Sequence, residues 1–332
     1  MRKAGIIGMG VGEAHIAGYE AHEGCEVVAL CDFSDEKYQY ALAKYPHKLV
    51  TKNADEILKN PEIDIVSIAS FDNFHAKQIL TAIAHNKHIF VEKPLCLYPE
   101  EAKDIRKALN EKQFLKISSN LILRRAPRFI LLKEMIERGE LGKLFYVEGD
   151  YNYGRLYKLT EGWRGDLDFY SIVLGGTIHL LDLLMWLTDD TISEVSAFGT
   201  NIASRGTKFR FNDTVASVVK FESGMVGKFG ANFACVTPHF HEVEVYGTKA
   251  TFKNGKNFAT LETTRDPVAE PQKITAAYPG HHKGDLLKNF VDAIMNDEEP
   301  EIGREDIFKA LSVCFAIDES AREGRNITVA YL

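Results

Sequence analysis

Four segments of this chain carry residue types whose spacing could do chemistry. The first is Gly8-Met9-Gly10-Val11-Gly12, which follows the apolar run Gly5-Ile6-Ile7 and leads into a helix expected over 13–22. About twenty residues further on, a second apolar run, Val27-Val28-Ala29-Leu30-Cys31, ends at Asp32. Strand, glycine turn, helix, strand and acid together form the layout of a dinucleotide-binding βαβ unit. Glycines let the backbone approach a pyrophosphate, whose charge then meets the free N–H groups of a helix N-terminus. Asp32 would accept hydrogen bonds from ribose hydroxyls and repel a 2′-phosphate. Neither Phe33 nor Ser34 supplies a compensating cation, so NAD is favoured over NADP. The spacing departs from G-x-G-x-x-G: the third glycine comes one residue early and Glu13 follows it.

The second and third segments each follow an expected strand. Ser70-Phe71-Asp72-Asn73-Phe74-His75 comes after the run Ile63–Ser70, and Glu92-Lys93-Pro94 after His88-Ile89-Phe90-Val91. In an open parallel sheet these are the positions at which ligands bind. Lys93 would ordinarily be a solvated charge, but here it stands between an acid and a proline that restricts the chain. The fourth segment, Gly175-Gly176-Thr177-Ile178-His179-Leu180-Leu181-Asp182, opens a helix expected over 177–187, with His179 and Asp182 one turn apart on one face.

Aromatic and cationic residues crowd just before it: Tyr151, Tyr153, Arg155, Tyr157, Lys158, Trp163 and Arg164. Aromatics stack on sugar rings and cations fork onto carboxylates or phosphates, so a polar, anionic ligand is one reading. An amphipathic strand edge with solvated ends is the other. Arg124, Arg125 and Arg128 read as a helix start with at least two of them facing solvent. His239 and His241, and the pair His281-His282, fit no metal-ligand spacing and read as surface or loop histidines, with His281 or His282 also open as cleft-lining groups. No metal site is expected.

The elements that must position these groups fall into two halves. Strand and helix signals alternate over residues 1–120, which implies a doubly wound parallel sheet with helices on both faces. Over 121–332 a helix near 128–138 is followed by strands expected at 143–153, 191–200, 213–222, 225–234 and 241–246, several joined by turns alone. That half reads as α+β with a large, mostly antiparallel open sheet, closed by helices at 284–295 and 304–323. The length, 332 residues, exceeds what one hydrophobic core usually serves. A net charge of −7 gives no electrostatic reason to expect a nucleic acid or an anionic membrane as partner. No apolar run approaches the ~20 residues of a membrane span. Strand signals start almost at Met1, leaving no room for a signal peptide, and the five cysteines form no C-x-x-C pair. Buried free thiols in a reducing cytoplasm are the expectation.

Together these motifs resemble the glucose–fructose oxidoreductase / inositol dehydrogenase / rhizopine-catabolism (Gfo/Idh/MocA) family over essentially the whole chain. The matching points are Gly8–His15, the spaced Ser70 and His75, Glu92-Lys93-Pro94, Trp163-Arg164 and the His179–Asp182 pair. The resemblance implies an N-terminal Rossmann domain and a C-terminal domain whose open sheet often forms a dimer face, hence a homodimer or homotetramer. It implies hydride transfer between the nicotinamide and a secondary alcohol of a sugar, sugar acid, inositol or nucleotide sugar. It implies a cofactor set of Gly8, Met9, Gly10, Val11, Gly12, Asp32, Ser70, Phe71, His75, Glu92, Lys93 and Asn120. The implied substrate set is Lys93, Tyr153, Arg155, Trp163, Arg164 and His179, with Lys93 and His179 catalytic and a cis bond before Pro94.

One position departs. Family members acting on inositols usually carry an aspartate four residues before the histidine, where this chain has Gly175. Asp166, Asp168 or Asp182 would then substitute, or Lys93 and His179 would act alone. Asp182 reads first as a helix brace or a partner of His179. Two rival readings stand: a member using bound NAD for a different carbohydrate reaction, and a non-catalytic protein that senses dinucleotide or sugar.

Overall fold

Short β-branched runs, apolar on both faces, are what a central parallel strand requires, and four of them build the middle of the first sheet. A computed structural model describes residues 1–332. The first unit runs β1 (Arg2–Ile7), α1 (Glu13–Glu20), β2 (Cys25–Cys31), α2 (Asp35–Lys44), β3 (Leu49–Thr51), α3 (Asp55–Leu58), β4 (Ile65–Ile68), α4 (Asp72–Ala84), β5 (His88–Val91), α5 (Pro99–Glu111) and β6 (Ile117–Ser119). The strands lie in the order β3-β2-β1-β4-β5-β6, all parallel. The chain winds outward from β1 through β2 to β3, then returns to place β4 on the other side of β1. That reversal opens a crevice at the C-terminal ends of β1 and β4, the usual ligand position. Ile6, Leu30, Ile65, Val66, Ile68, Ile89, Phe90 and Val91 are all sealed from solvent. Pro99 opens α5, with Glu101 Oε2 accepting from the Tyr98 N–H at 3.2 Å.

The second unit contains α6 (Pro127–Glu137), β7 (Leu144–Asn152), α7 (Tyr157–Thr160), α8 (Ile178–Thr188), β8 (Ile192–Thr200), β9 (Thr214–Phe221), β10 (Val226–Asn232), β11 (Phe240–Gly247), β12 (Thr251–Lys253), β13 (Ala259–Glu262) and β14 (Gln272–Ile274). The chain ends in α9 (Asp285–Asn296), α10 (Arg304–Glu323) and β15 (Ile327–Thr328). Nine strands form one sheet in the order β14-β13-β12-β11-β7-β10-β9-β8-β15. It is antiparallel except between β7 and β10. Along β9, Val215, Ser217, Val219 and Phe221 face the core while Ala216, Val218 and Lys220 face out, the alternation of a sheet covered on one side.

Residues 1–122 and 282–308 form one compact unit and 123–281 with 309–331 the other. The segment carrying α9, assigned to the second half from the sequence, thus belongs to the first unit, where His22 Nε2 meets Asp292 Oδ1 at 2.9 Å. Four cysteines are buried, Cys235 is half-buried, and all five are free. No helix is long and apolar enough to cross a membrane.

Candidate active site

In the first unit the glycine turn joins β1 to α1. Gly8 has φ +95°, a left-handed conformation, and a Cβ there would stand 2.3 Å from the Ala69 carbonyl oxygen. Only glycine meets both conditions. At Gly10 the situation is opposite: a Cβ would meet nothing within 4 Å. The backbone there borders open space. Asp32, at the end of β2, is 9% exposed. Its Oδ2 accepts from the Met9 N–H at 2.8 Å and its Oδ1 from the Ser34 N–H at 2.9 Å. The acid therefore ties the glycine turn to the second strand and has further lone pairs able to accept hydrogen bonds. Phe71, following β4, packs edge-on against the exposed Phe33, with ring centroids 5.5 Å apart.

Beyond β5, the Lys93–Pro94 peptide is cis, as the resemblance implied. Glu92 is the hub of a buried network: His15 Nε2 lies 3.1 Å and Asn120 Nδ2 2.7 Å from its Oε1. Burial pushes the Glu92 carboxyl up, but the hydrogen bonds from His15 and Asn120 outweigh it and bring it down to about 2. Glu92 is therefore an anion throughout the physiological range. Asn120 Oδ1 is buried with no donor, a waiting acceptor beside it. His75 is wholly buried, its Nδ1 2.7 Å from the Pro94 carbonyl oxygen and its Nε2 3.2 Å from that of Ser70. It joins the loops after β4 and β5 from beneath. Ser70 Oγ donates to Gln78 Oε1 at 2.7 Å. The open space at Gly10, the acid at Asp32 and the unfilled acceptor at Asn120 all suit a dinucleotide.

In the second unit, His179 lies in the first turn of α8, preceded by a π-helical turn at 173–177. Such turns recur at functional sites. Side chains at 175 and 176 have no room: a Cβ on Gly175 would meet the Tyr170 hydroxyl at 2.2 Å, and one on Gly176 the Tyr151 ring at 2.5 Å. Tyr170 thus fills the place of any acid at 175, and its hydroxyl accepts from Arg164 Nε at 2.9 Å. The candidate substitutes are engaged elsewhere or point outward. Asp166 is exposed and paired with Lys208 at 2.7 Å, and Asp168 is exposed. Asp182 is 1% exposed and receives Arg124 Nε at 2.9 Å, so it braces α8.

That pairing overturns the solvent-facing reading of the arginines. Arg124 and Arg128 are 5% and 1% exposed, and Arg125 is half-buried. Arg128 donates to Asn254 Oδ1 at 2.8 Å and to the Ala276 carbonyl at 3.0 Å. A buried guanidinium is tolerable only with such acceptors, and they come from distant segments that local spacing does not reveal.

The surface reading of the histidines also fails for His241. It sits opposite Tyr151 in the β7–β11 register and is 9% exposed, with Nδ1 2.5 Å from the Tyr278 hydroxyl. His239 is exposed, as are Arg155 and His282, while His281 is half-buried. Tyr151 lies in β7, inside the strand expected over 143–153. Its ring centroid lies 5.7 Å from that of Tyr153 and 6.3 Å from that of His179. Arg155 stands 4.9 Å from the Tyr153 ring centre and Arg164 4.4 Å from that of Trp163. His15 was not among the expected site residues; it lies in the first turn of α1, and its place at the end of the Gly8–His15 match was the available signal.

A Rossmann sheet bearing this glycine turn, acid and Glu-Lys-Pro segment defines a dinucleotide-dependent oxidoreductase. Residues 2–119 match the model of the oxidoreductase family with an NAD-binding Rossmann fold, and 129–253 that of the GFO/IDH/MocA C-terminal domain. The chain belongs to the Gfo/Idh/MocA family. It is 24% identical over 343 residues to a myo-inositol 2-dehydrogenase of Thermotoga maritima, covering 98% of each chain. It is 27% identical over 334 residues to a 1,5-anhydro-D-fructose reductase of Ensifer adhaerens, again covering 98% of each. The scyllo-inositol dehydrogenase of Lactobacillus casei, solved with NAD(H) and scyllo-inositol, shares its fold with a TM-score of 0.82 at 20% identity, over 99% of each chain.

Proposed function

We propose that this protein is an NAD-dependent dehydrogenase acting on a secondary alcohol of a carbohydrate-like compound. The observation that carries the reading is the grouping, at the C-terminal ends of the first sheet, of a glycine turn held by Asp32 with an ionised Glu92 next to Lys93. The names of the relatives, inositol dehydrogenases and an anhydrofructose reductase, support a polyhydroxylated substrate.

When bound, the nicotinamide supplies the acceptor for a hydride from the substrate carbon. Asp32 accepts from the adenosine ribose hydroxyls, and the open backbone at Gly10 lets the pyrophosphate approach the start of α1. Glu92, fixed by His15 and Asn120, is an acceptor for a ribose hydroxyl and holds the neighbouring Lys93 by charge. Lys93 hydrogen-bonds the reacting oxygen and stabilises negative charge as the proton leaves. His179 takes that proton through its imidazole. Tyr153, Arg155, Trp163 and Arg164 bind the remainder of the substrate. The open face of the nine-stranded sheet is the surface on which a homodimer or homotetramer would form. The catalytic reading is preferred to a sensor because Glu92, Lys93 and His179 are all retained.

The test is turnover. Purified protein with NAD is screened against sugars, inositols, sugar acids and nucleotide sugars by the absorbance of reduced nicotinamide. Lys93→Ala should abolish turnover and leave NAD affinity within a few-fold. Unchanged activity in that variant removes Lys93 from the mechanism. Turnover without added NAD would favour the reading in which a retained cofactor serves another carbohydrate reaction.

A further inference from the structure

Three imidazoles gather on the covered face of the second sheet. Antiparallel pairing of β7 with β11 sets His241 directly opposite Tyr151. Around that phenol ring, the centroids of His239 and His241 each lie 5.1 Å away. The two histidine rings are 4.7 Å apart, and His241 is 6.2 Å from His179. They grade from exposed His239 through half-buried His179 to buried His241, a rim-to-floor arrangement. His241 is held from behind: Tyr278 bonds its Nδ1, Asn254 Nδ2 donates to its carbonyl at 2.9 Å, and the Arg128 guanidinium lies 5.4 Å from the Tyr278 ring centre. A surface histidine would not need so much support.

A guanidinium borders the same cluster: Arg155 stands 4.9 Å from the Tyr153 ring centre, which lies 5.3 Å from that of His239. Burial and the neighbouring Tyr153 and Tyr170 phenols push the Tyr151 phenol up, and the charges of Arg155 and Arg164 oppose that shift. Asp182, one turn beyond His179 on α8, is paired with Arg124. A polyol hydroxyl both donates and accepts, whereas a carboxylate only accepts and so gains most from N–H donors. Imidazole and guanidinium N–H groups match a carboxylate.

We propose that His239 and His241, beside His179, hold the carboxylate of an acidic sugar derivative, an aldonate or uronate, so that these histidines set the substrate class. This rests on the dehydrogenase reading above.

Matched pairs decide it, assayed with saturating NAD: D-glucose against D-gluconate and D-glucuronate, D-galactose against D-galactonate, with myo-inositol as a further neutral compound. The acid of at least one pair should show kcat/KM about tenfold or more above its neutral partner. His241→Gln should raise KM for that acid about tenfold, with kcat changed far less. The exposed His239→Gln should move KM in the same direction, which keeps the proposal testable should the buried variant fold poorly. Preference for a neutral compound, or equal KM shifts for acid and neutral partners, overturns the proposal while leaving the dehydrogenase standing. No turnover of any compound overturns both.

Discussion

His15 Nε2 lies 3.1 Å from Glu92 Oε1, joining the first helix of the Rossmann unit to the end of its fifth strand. An ionised carboxylate can only accept, so in the neutral ring Nε2 carries the proton and Nδ1, 2.8 Å away, accepts from the Ser67 hydroxyl. The helix that opens the cofactor turn is thereby bonded to the acid preceding Lys93.

That bond makes Glu92 a source of stability with a defined pH window. Its carboxyl falls from the ordinary 4.5 to about 2 in the folded protein. A depressed carboxyl contributes stability that is complete above the unfolded value and disappears as pH falls through the folded one. Glu92→Gln should therefore unfold more easily at neutral pH by about 1–3 kcal/mol and match the parent near pH 2. Denaturant titrations across that range read the difference; a constant offset would contradict the ionic origin.

Asp318 runs the other way. Burial lifts its carboxyl to about 7 despite a hydrogen bond with Ser171, and its Oδ2 has no partner. The folded state holds the proton more tightly than the unfolded chain, so stability from this group declines as pH rises from the ordinary carboxyl value to about 7, then levels. Asp318→Asn should be more stable than the parent at pH 8 by about 1–3 kcal/mol, the gain vanishing near pH 4. Equal pH profiles for the two proteins would refute this.

Arg124 and Asp182 form a buried pair that braces the helix carrying His179. Removing one partner strands a charge, so Arg124→Met should cost about 3–5 kcal/mol, and Arg124→Met with Asp182→Leu much less. A double-mutant cycle on thermal unfolding measures the coupling. Additive losses would mean the pair is not coupled.

Asp32 bonds the glycine turn, and in the proposed reading the same carboxylate repels a 2′-phosphate. Asp32→Asn keeps an oxygen for the Met9 N–H and loses the charge. The ratio of NADPH to NADH affinity, measured by fluorescence titration, should rise about tenfold or more. A parent protein that already prefers NADPH would overturn the cofactor assignment.

Much of this was legible in one dimension. The glycine turn, Asp32 and the strand–helix alternation lie within single βαβ units, where spacing sets geometry directly. Strand positions at β7 to β11 followed from alternation, whereas β3, β12, β14 and β15 have two or three residues each, too few for any period to show. The placement of α9 was not legible either, because an amphipathic helix does not say which unit it covers.

The residue sequence alone determined the Rossmann half, its acid, the Glu-Lys-Pro segment and the histidine of α8, since each depends on neighbours a few positions away. Only tertiary structure decided that Arg124 and Arg128 are buried, that Tyr170 fills the space beside Gly175, and that His241 faces Tyr151. The physical reason is one of range. A buried charge or an imidazole takes its meaning from the acceptors around it, and these arrive from segments tens to over a hundred residues away: Asp182 for Arg124, Asn254 for Arg128, and Tyr278 for His241.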